Sequence, residues 1–233
     1  VLKLSKSAVD RAGGELRDWW TNDDPNPLPS AAVEALYAFR AEFPNPTKKV
    51  TVGLRQFVLR ECDSDVSPAI GQRLKRAPQM VQKLTRHPKM NLSRMQDIGG
   101  CRAILQGGHD EVLRVRRRIE RNWTIKHIKH YTLDEPAESG YRALHIVVER
   151  DGRLIEIQLR TPREHEWAEA IERTDKRLSL DLKGGRGPQV LLDYFRLSAD
   201  ALAHEDADRP LDPAFLRDWD EARRRALPYF QRS

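Results

Sequence analysis

The chain has 233 residues, 39% of them hydrophobic, 7% aromatic and 33% charged, a composition that excludes disorder and leaves enough apolar side chain for a sizeable core. No apolar run approaches the ~20 residues that a helix needs to cross a bilayer, the longest being Ala143 to Val148, so no membrane partner is expected. Lys plus Arg number 41 against 35 Asp plus Glu, a formal charge of +6, which favours anionic partners without saying which anion.

The N-terminus, Val1 to Lys6, lacks the apolar stretch and small-residue cleavage site of a secretory signal, so a cytoplasmic protein is expected. Ser5 to Trp20 places Val9, Ala12, Leu16 and Trp19 or Trp20 at helical spacing. The Asn/Asp/Pro stretch from Thr21 to Pro29 breaks that helix. Ser30 is read as the N-cap of a second, Ala31 to Phe43, which Pro44 and Pro46 end. Val50 to Cys62 reads as a short helix or an extended run. Ser67-Pro68 has the form of a cap followed by a first-turn proline, which predicts a basic helix reaching about Leu84.

From Gly100 the pattern alternates. Cys101 to Gln106, Thr124 to Tyr131, Ala143 to Arg150 and Leu154 to Arg160 read as four strands around a helix, Asp110 to Arg121, whose apolar stripe is Val112, Val115 and Ile119. Asp151-Gly152 between two alternating runs predicts a hairpin, so the last two strands are antiparallel and the sheet is mixed. Thr161-Pro162 opens a helix to about Leu182, the glycine-rich stretch Lys183 to Pro188 breaks it, and Gln189 to Ala203 and Pro213 to Ala226 are helical. The expectation is an α+β domain with a mixed sheet flanked by helices: an N-terminal helical region at 1–66, a core at 67–182 and a C-terminal helical extension at 183–233. The two cysteines, Cys62 and Cys101, lie in no metal-ligand spacing and read as thiols.

Four groups of residues can carry chemistry. Arg73, Lys75 and Lys83, with Arg76 beside them, would lie on the predicted basic helix; Arg73 and Lys83 are close to three turns apart and Lys75 about 200° round from Arg73. Asp97-Ile98-Gly99-Gly100-Cys101-Arg102 puts a carboxylate at the mouth of a strand, beside glycines that allow close approach of a ligand. Glu156, Gln158 and Arg160 alternate onto one strand face, with Ile155, Ile157 and Leu159 on the other. Ser139-Gly140-Tyr141-Arg142-Ala143-Leu144-His145 leads an aromatic ring, a guanidinium and an imidazole into a strand. Asp97 and Glu156 together can hold a Mg²⁺ ion and take a proton from an attacking hydroxyl.

In this order and spacing, RLK with Lys83 eight residues after its lysine, DIGGCR, SGYRALH and EIQLRT resemble the synthetase domain of the RelA/SpoT family, the alarmone (ppGpp) synthetases, over about Gln72 to Arg177. His165-Glu166-Trp167-Ala168-Glu169 resembles the family's helix after the last strand. The resemblance implies a nucleotidyltransferase-like fold and a Mg²⁺-dependent transfer of pyrophosphate from ATP to a ribose 3′-hydroxyl of GDP or GTP, with AMP leaving. It implies that Arg73, Lys75 and Lys83 grip ATP phosphates, that Arg102 supports phosphates or adenine, and that Asp97 ligates the metal. Glu156 becomes second ligand or general base, Tyr141 stacks on the acceptor base, and His145, Gln158 and Arg160 arrange the acceptor ribose and phosphates.

The chain departs from the family pattern at Gln79-Met80, where Ser-Ile is frequent, and at Arg173, where histidine is common. It also departs at Lys129-His130-Tyr131 and Pro136-Ala137-Glu138, where a family basic residue is neutral or acidic. The last change opens a second reading, a toxin that transfers pyrophosphate to the 3′ end of tRNA. A third is an inert basic domain for RNA or the ribosome, against which the retention of both Asp97 and Glu156 argues. With about 70 residues ahead of Arg73, a stand-alone synthetase is expected, its terminal helices free to buttress the sheet, form a homo-oligomer or bind an antitoxin protein.

Overall fold

A computed structural model describes residues 4–22, 27–62, 68–132 and 135–231. Ser67 lies outside them, so the cap read there is not described. Three helices come first: α1 (Lys6–Thr21), capped by the Ser5 hydroxyl, α2 (Ser30–Arg40) and α3 (Pro44–Glu61). Pro44 therefore starts a helix as well as following one, and Val50 to Cys62 belongs almost wholly to α3. A proline in the first turn lacks only an N–H that would have had no partner, so it suits a helix start as well as a stop.

The segment read as one basic helix is two elements. Ala69–Leu74 is a strand, β1, and the helix α4 runs only from Ala77 to Arg86, with proline in its first turn. β1 pairs antiparallel with β2 (Gly99–Ile104) from Ala69↔Ile104 to Leu74↔Gly99. That pairing joins residues some thirty positions apart and supplies hydrogen bonds that local periodicity does not announce.

The helix α5 (Gly108–Asn122) and the strands β3 (Ile125–Tyr131), β4 (Ala143–Arg150) and β5 (Arg153–Arg160) complete a five-stranded sheet of order β1-β2-β5-β4-β3. β2 and β5 are parallel and the other pairs antiparallel, with β4 and β5 joined by the Asp151-Gly152 turn. The protein is thus a mixed α+β structure with helices on both sides in sequence, and the strands number five rather than four.

Register decides which side chains share a face. Gly100 lies opposite Glu156, Arg102 opposite both Gly71 and Gln158, and Gln158 opposite His145. The other face carries Cys101, Ala103, Ile146, Ile155, Ile157 and Leu159, all buried in one core with Val50, Leu54 and Val58 of α3 and Val112, Val115 and Ile119 of α5. One face of the sheet is closed by α3 and α5, and the other carries the polar side chains.

The C-terminal helices are α6 (Pro162–Leu178), α7 (Gln189–Asp206) and α8 (Pro213–Gln231). α6 begins with a reciprocal capping box between Thr161 and Glu164 and ends at Ser179 in the left-handed region, short of the expected Leu182. Trp167, Ile171, Leu182, Leu191, Phe195 and Ala199 form a second core cluster, which also takes in Tyr141 and Ala143. The Trp167 indole donates to the Phe195 carbonyl at 2.7 Å. No helix among the described residues is long and apolar enough to cross a membrane.

Candidate active site

Asp97 sits just ahead of β2, whose pairing with β1 is prolonged by the Lys75 N–H donating to the Ile98 carbonyl at 2.8 Å. This places Lys75, one residue past the strand, and Lys83, two turns into α4, on the same Asp97 oxygen. Their ammonium groups lie 3.0 and 2.9 Å from Oδ2. Burial pushes the Asp97 carboxyl up, but the two lysines outweigh it and hold the group below the usual aspartate value. The other oxygen, Oδ1, is buried and has no hydrogen-bond partner.

Glu156 is held by a different network. His145 Nδ1 lies 2.9 Å from its Oε1, and Gln158 Nε2 donates to Oε2 at 2.7 Å. Burial raises the Glu156 carboxyl and the nearby Asp97 charge adds to that, but His145 and Gln158 bring it below the ordinary glutamate value. A carboxylate can only accept, so His145 Nδ1 carries a proton, while Nε2 lies 2.7 Å from the Tyr141 hydroxyl. That hydroxyl in turn accepts from Arg160 Nη2 at 2.6 Å. Arg160 is 1% exposed, and its Nε and Nη1 are buried without partners.

Over β1, β2 and β5 lies an open cleft of about 450 Å³, floored by Gly100, Arg102, Glu156 and Gln158 and walled by Arg73 and His165. Gly100 keeps the floor low. A Cβ there would stand 3.2 Å from the Glu156 carbonyl oxygen, and a larger side chain would fill the space a ligand needs. Arg102 Nε reaches Gln158 Oε1 at 3.4 Å and its Nη1 faces His165 Nδ1 at 3.3 Å. Gly140, the turn before Tyr141, has φ 87° and presses on α7, where a Cβ would meet that of Ala199 at 2.9 Å.

The structure therefore brings Lys75, Lys83 and Asp97 together, and His145, Glu156, Gln158, Arg160 and Tyr141 together, with Arg73 and Arg102 lining the cleft beside Glu156 and Gln158. The three cations do not share a helix as expected. Arg73 points from the edge strand β1 and Lys75 from the link that follows it. Tyr141 is 6% exposed, with the Arg160 guanidinium and the Lys183 ammonium over its ring at 5.1 and 5.0 Å. His165, Glu172 and Lys183 were not singled out as site residues. The glycines around 184–187 marked a helix break, but nothing local shows that this loop folds back over Tyr141.

Among the described residues no three His, Cys, Asp or Glu side chains cluster as a metal cage. The fit to Mg²⁺ rests instead on the orphaned Asp97 Oδ1, with Glu156 near enough for its charge to be felt. These are hard oxygen donors of the kind Mg²⁺ uses once or twice, completing its shell with water and phosphate oxygens.

Residues 72–175, a little under half of the chain, match the family described as a region found in RelA / SpoT proteins. An uncharacterized protein of Mycobacterium tuberculosis, strain H37Rv, is 29% identical over 103 residues, 44% of this chain and 38% of that relative. The chain thus matches little more than a third of that relative's length. Small alarmone synthetase 1 of Bacillus subtilis bound to its product pppGpp has the same fold, with a TM-score of 0.64 at 24% identity over 74% of this chain and 93% of that one. A GTP pyrophosphokinase family protein of Streptococcus pneumoniae superposes with a TM-score of 0.58 at 24% identity, covering 80% of this chain and 96% of that one.

Proposed function

We propose that the protein is an ATP:nucleotide 3′-pyrophosphokinase that acts on GDP or GTP. The observation that carries this reading is the pair of acids Glu156, backed by His145 on the floor of the cleft, and Asp97, one oxygen unpartnered and near enough for its charge to act on Glu156. The reaction forms a bond from the acceptor 3′-oxygen to the β-phosphorus of ATP and breaks the bond from that phosphorus to the oxygen bridging the α-phosphate. AMP leaves, and the hydroxyl proton must go to a base.

Glu156 is suited to take it. Its carboxylate is ionised at neutral pH, and His145 fixes its orientation. Arg160, through the Tyr141 hydroxyl, holds the His145 ring that makes this hydrogen bond. Arg73 and Arg102 line the cleft, where they would neutralise triphosphate charge, and Lys75 and Lys83 set the place of Asp97. Asp97, with Glu156 as second ligand, would hold Mg²⁺, which when bound draws charge from the transferring phosphates. Positioning and charge neutralisation are most of what such a transfer requires.

The test follows γ-labelled ATP with purified protein and Mg²⁺, offering GDP, GTP, ATP and deacylated tRNA separately, with Glu156→Gln as blank. Label on a guanosine nucleotide, with one AMP per transfer, is the expected result. Label on tRNA moves the protein to the toxin reading. Absence of both label and AMP with every acceptor overturns the assignment.

A further inference from the structure

The link between α6 and α7 is an arm that folds back over Tyr141. The Asp175 carboxylate accepts from the Leu182 and Lys183 N–H groups at 2.6 and 3.2 Å, and Leu182 is fully buried in the second core cluster. Asp181 and Arg186 pair as a β-bridge, and Gly185 takes the left-handed conformation that the turn between them needs. The arm delivers the Lys183 ammonium over the Tyr141 ring, where it hydrogen-bonds Glu172 of α6.

Glu172 stands among cations from three elements. Lys183, Arg160 and Arg102 all hold its carboxyl below the ordinary value, against the upward push of burial. Lys183 in turn is pushed down first by burial and then by Arg160 and Arg73, with only Glu172 opposing. Arg102 feels the same balance: burial, Arg160 and Arg73 lower it, and Glu172 opposes. Four like charges converge with one carboxylate among them, while Arg160 keeps two buried N–H groups unpartnered. An anion richer in charge and acceptor oxygens than a carboxylate suits that place.

We propose that Lys183 is a binding residue for the 5′-phosphates of the acceptor nucleotide, and that Glu172 holds their place in the free protein and gives up Lys183 when they arrive. The proposal rests on the acceptor side of the reading above, with Tyr141 as its landmark. The side chain of Lys183 is 33% exposed, so incoming phosphate can reach it without opening the core. The arm keeps it pre-positioned, so little conformational entropy is lost on binding.

Equilibrium binding of GDP and ADP, each beside its parent nucleoside, tests this on the full chain as wild type, Lys183→Gln and Glu172→Gln. Wild type is expected to favour a diphosphate over its nucleoside. Lys183→Gln should weaken the diphosphate on the order of tenfold and leave the nucleoside unchanged. Glu172→Gln, which removes the competing carboxylate, should tighten it. Equal weakening of diphosphate and nucleoside by Lys183→Gln would show a structural residue and overturn the proposal. So would an unchanged diphosphate preference in that variant, or looser diphosphate binding in Glu172→Gln. If Lys183→Gln abolishes the preference while label transfer from ATP fails with every acceptor, the phosphate site stands and the proposed reaction falls.

Discussion

At Asp97 the two carboxylate oxygens have different lives: Oδ2 is shared by Lys75 and Lys83, and Oδ1 is left without a partner. Asp97→Asn keeps the shape but removes the charge both lysines face. Glu156→Gln likewise keeps a hydrogen bond to Gln158 while losing the base. Each is expected to lower turnover by at least about 10²-fold, with near-ultraviolet circular dichroism unchanged; near-normal turnover in either would remove that residue from the chemistry. Tyr141 calls for a gentler change. It is packed against Trp167 and Tyr131, so truncation to alanine would cost about 3–5 kcal/mol from the cavity alone. Tyr141→Phe keeps the ring and deletes only the hydroxyl between Arg160 and His145. It should reduce kcat and leave acceptor KM little changed; a loss confined to KM would show that the hydroxyl binds the acceptor instead.

Among the elements, α6 begins at a buried acid. Glu164 closes the capping box with Thr161, and Thr161 also donates to Asp206 of α7 through its hydroxyl. Burial, with the Asp206 charge adding to it, pushes the Glu164 carboxyl up to about 7 although the Thr161 N–H opposes. The folded state therefore binds this proton more tightly than the unfolded chain. Stability from this group is whole below the ordinary glutamate value near 4.5 and falls as pH rises to about 7, where the full penalty is reached. Glutamine also completes a capping box and carries no charge. The melting temperature of Glu164→Gln relative to wild type is thus expected to rise between pH 5 and pH 8, by an amount equivalent to at most about 3 kcal/mol. A difference that stays flat across that range would count against the raised carboxyl. Asp97 and Glu156 have the opposite sign, since their folded values are lowered. Their stabilisation is present above the ordinary carboxylate range and lost as acid takes pH down through the folded values.

Over the whole molecule, two cores support the two groups of site residues. The first, under β1 to β5, fixes Asp97, Arg102 and Glu156; the second, from α6 and α7, fixes Tyr141 and the arm that carries Lys183. Arg142 ties them together, donating to the Gly140 carbonyl at 2.9 Å and to Asp200 of α7 at 2.6 Å. Phe195→Ala, remote from the sheet but in contact with Trp167, is expected to destabilise by about 3–5 kcal/mol. Below its melting temperature it should weaken acceptor binding more than ATP binding. Equal weakening of both would mean that the two cores act as one.

Much of this was legible in the chain itself. The period-two runs at Ala143 to Arg150 and Leu154 to Arg160, with Asp151-Gly152 between them, specify a hairpin by local chemistry, and alternation put Glu156, Gln158 and Arg160 on one face. The order of the RLK, DIGGCR, SGYRALH and EIQLRT motifs was enough to point to the RelA/SpoT family, whose model residues 72–175 match. What the sequence could not decide were matters of long-range contact. Whether Ala69–Leu74 is strand or helix depends on hydrogen bonds from β2. Whether Pro44 ends one helix or begins another depends on where Phe43 finds burial. The joining of Lys75 and Lys83 on one oxygen, and of Lys183 with Glu172 over Tyr141, likewise arises only when separate elements pack, because local spacing sets which side chains share a face and tertiary packing sets which faces meet.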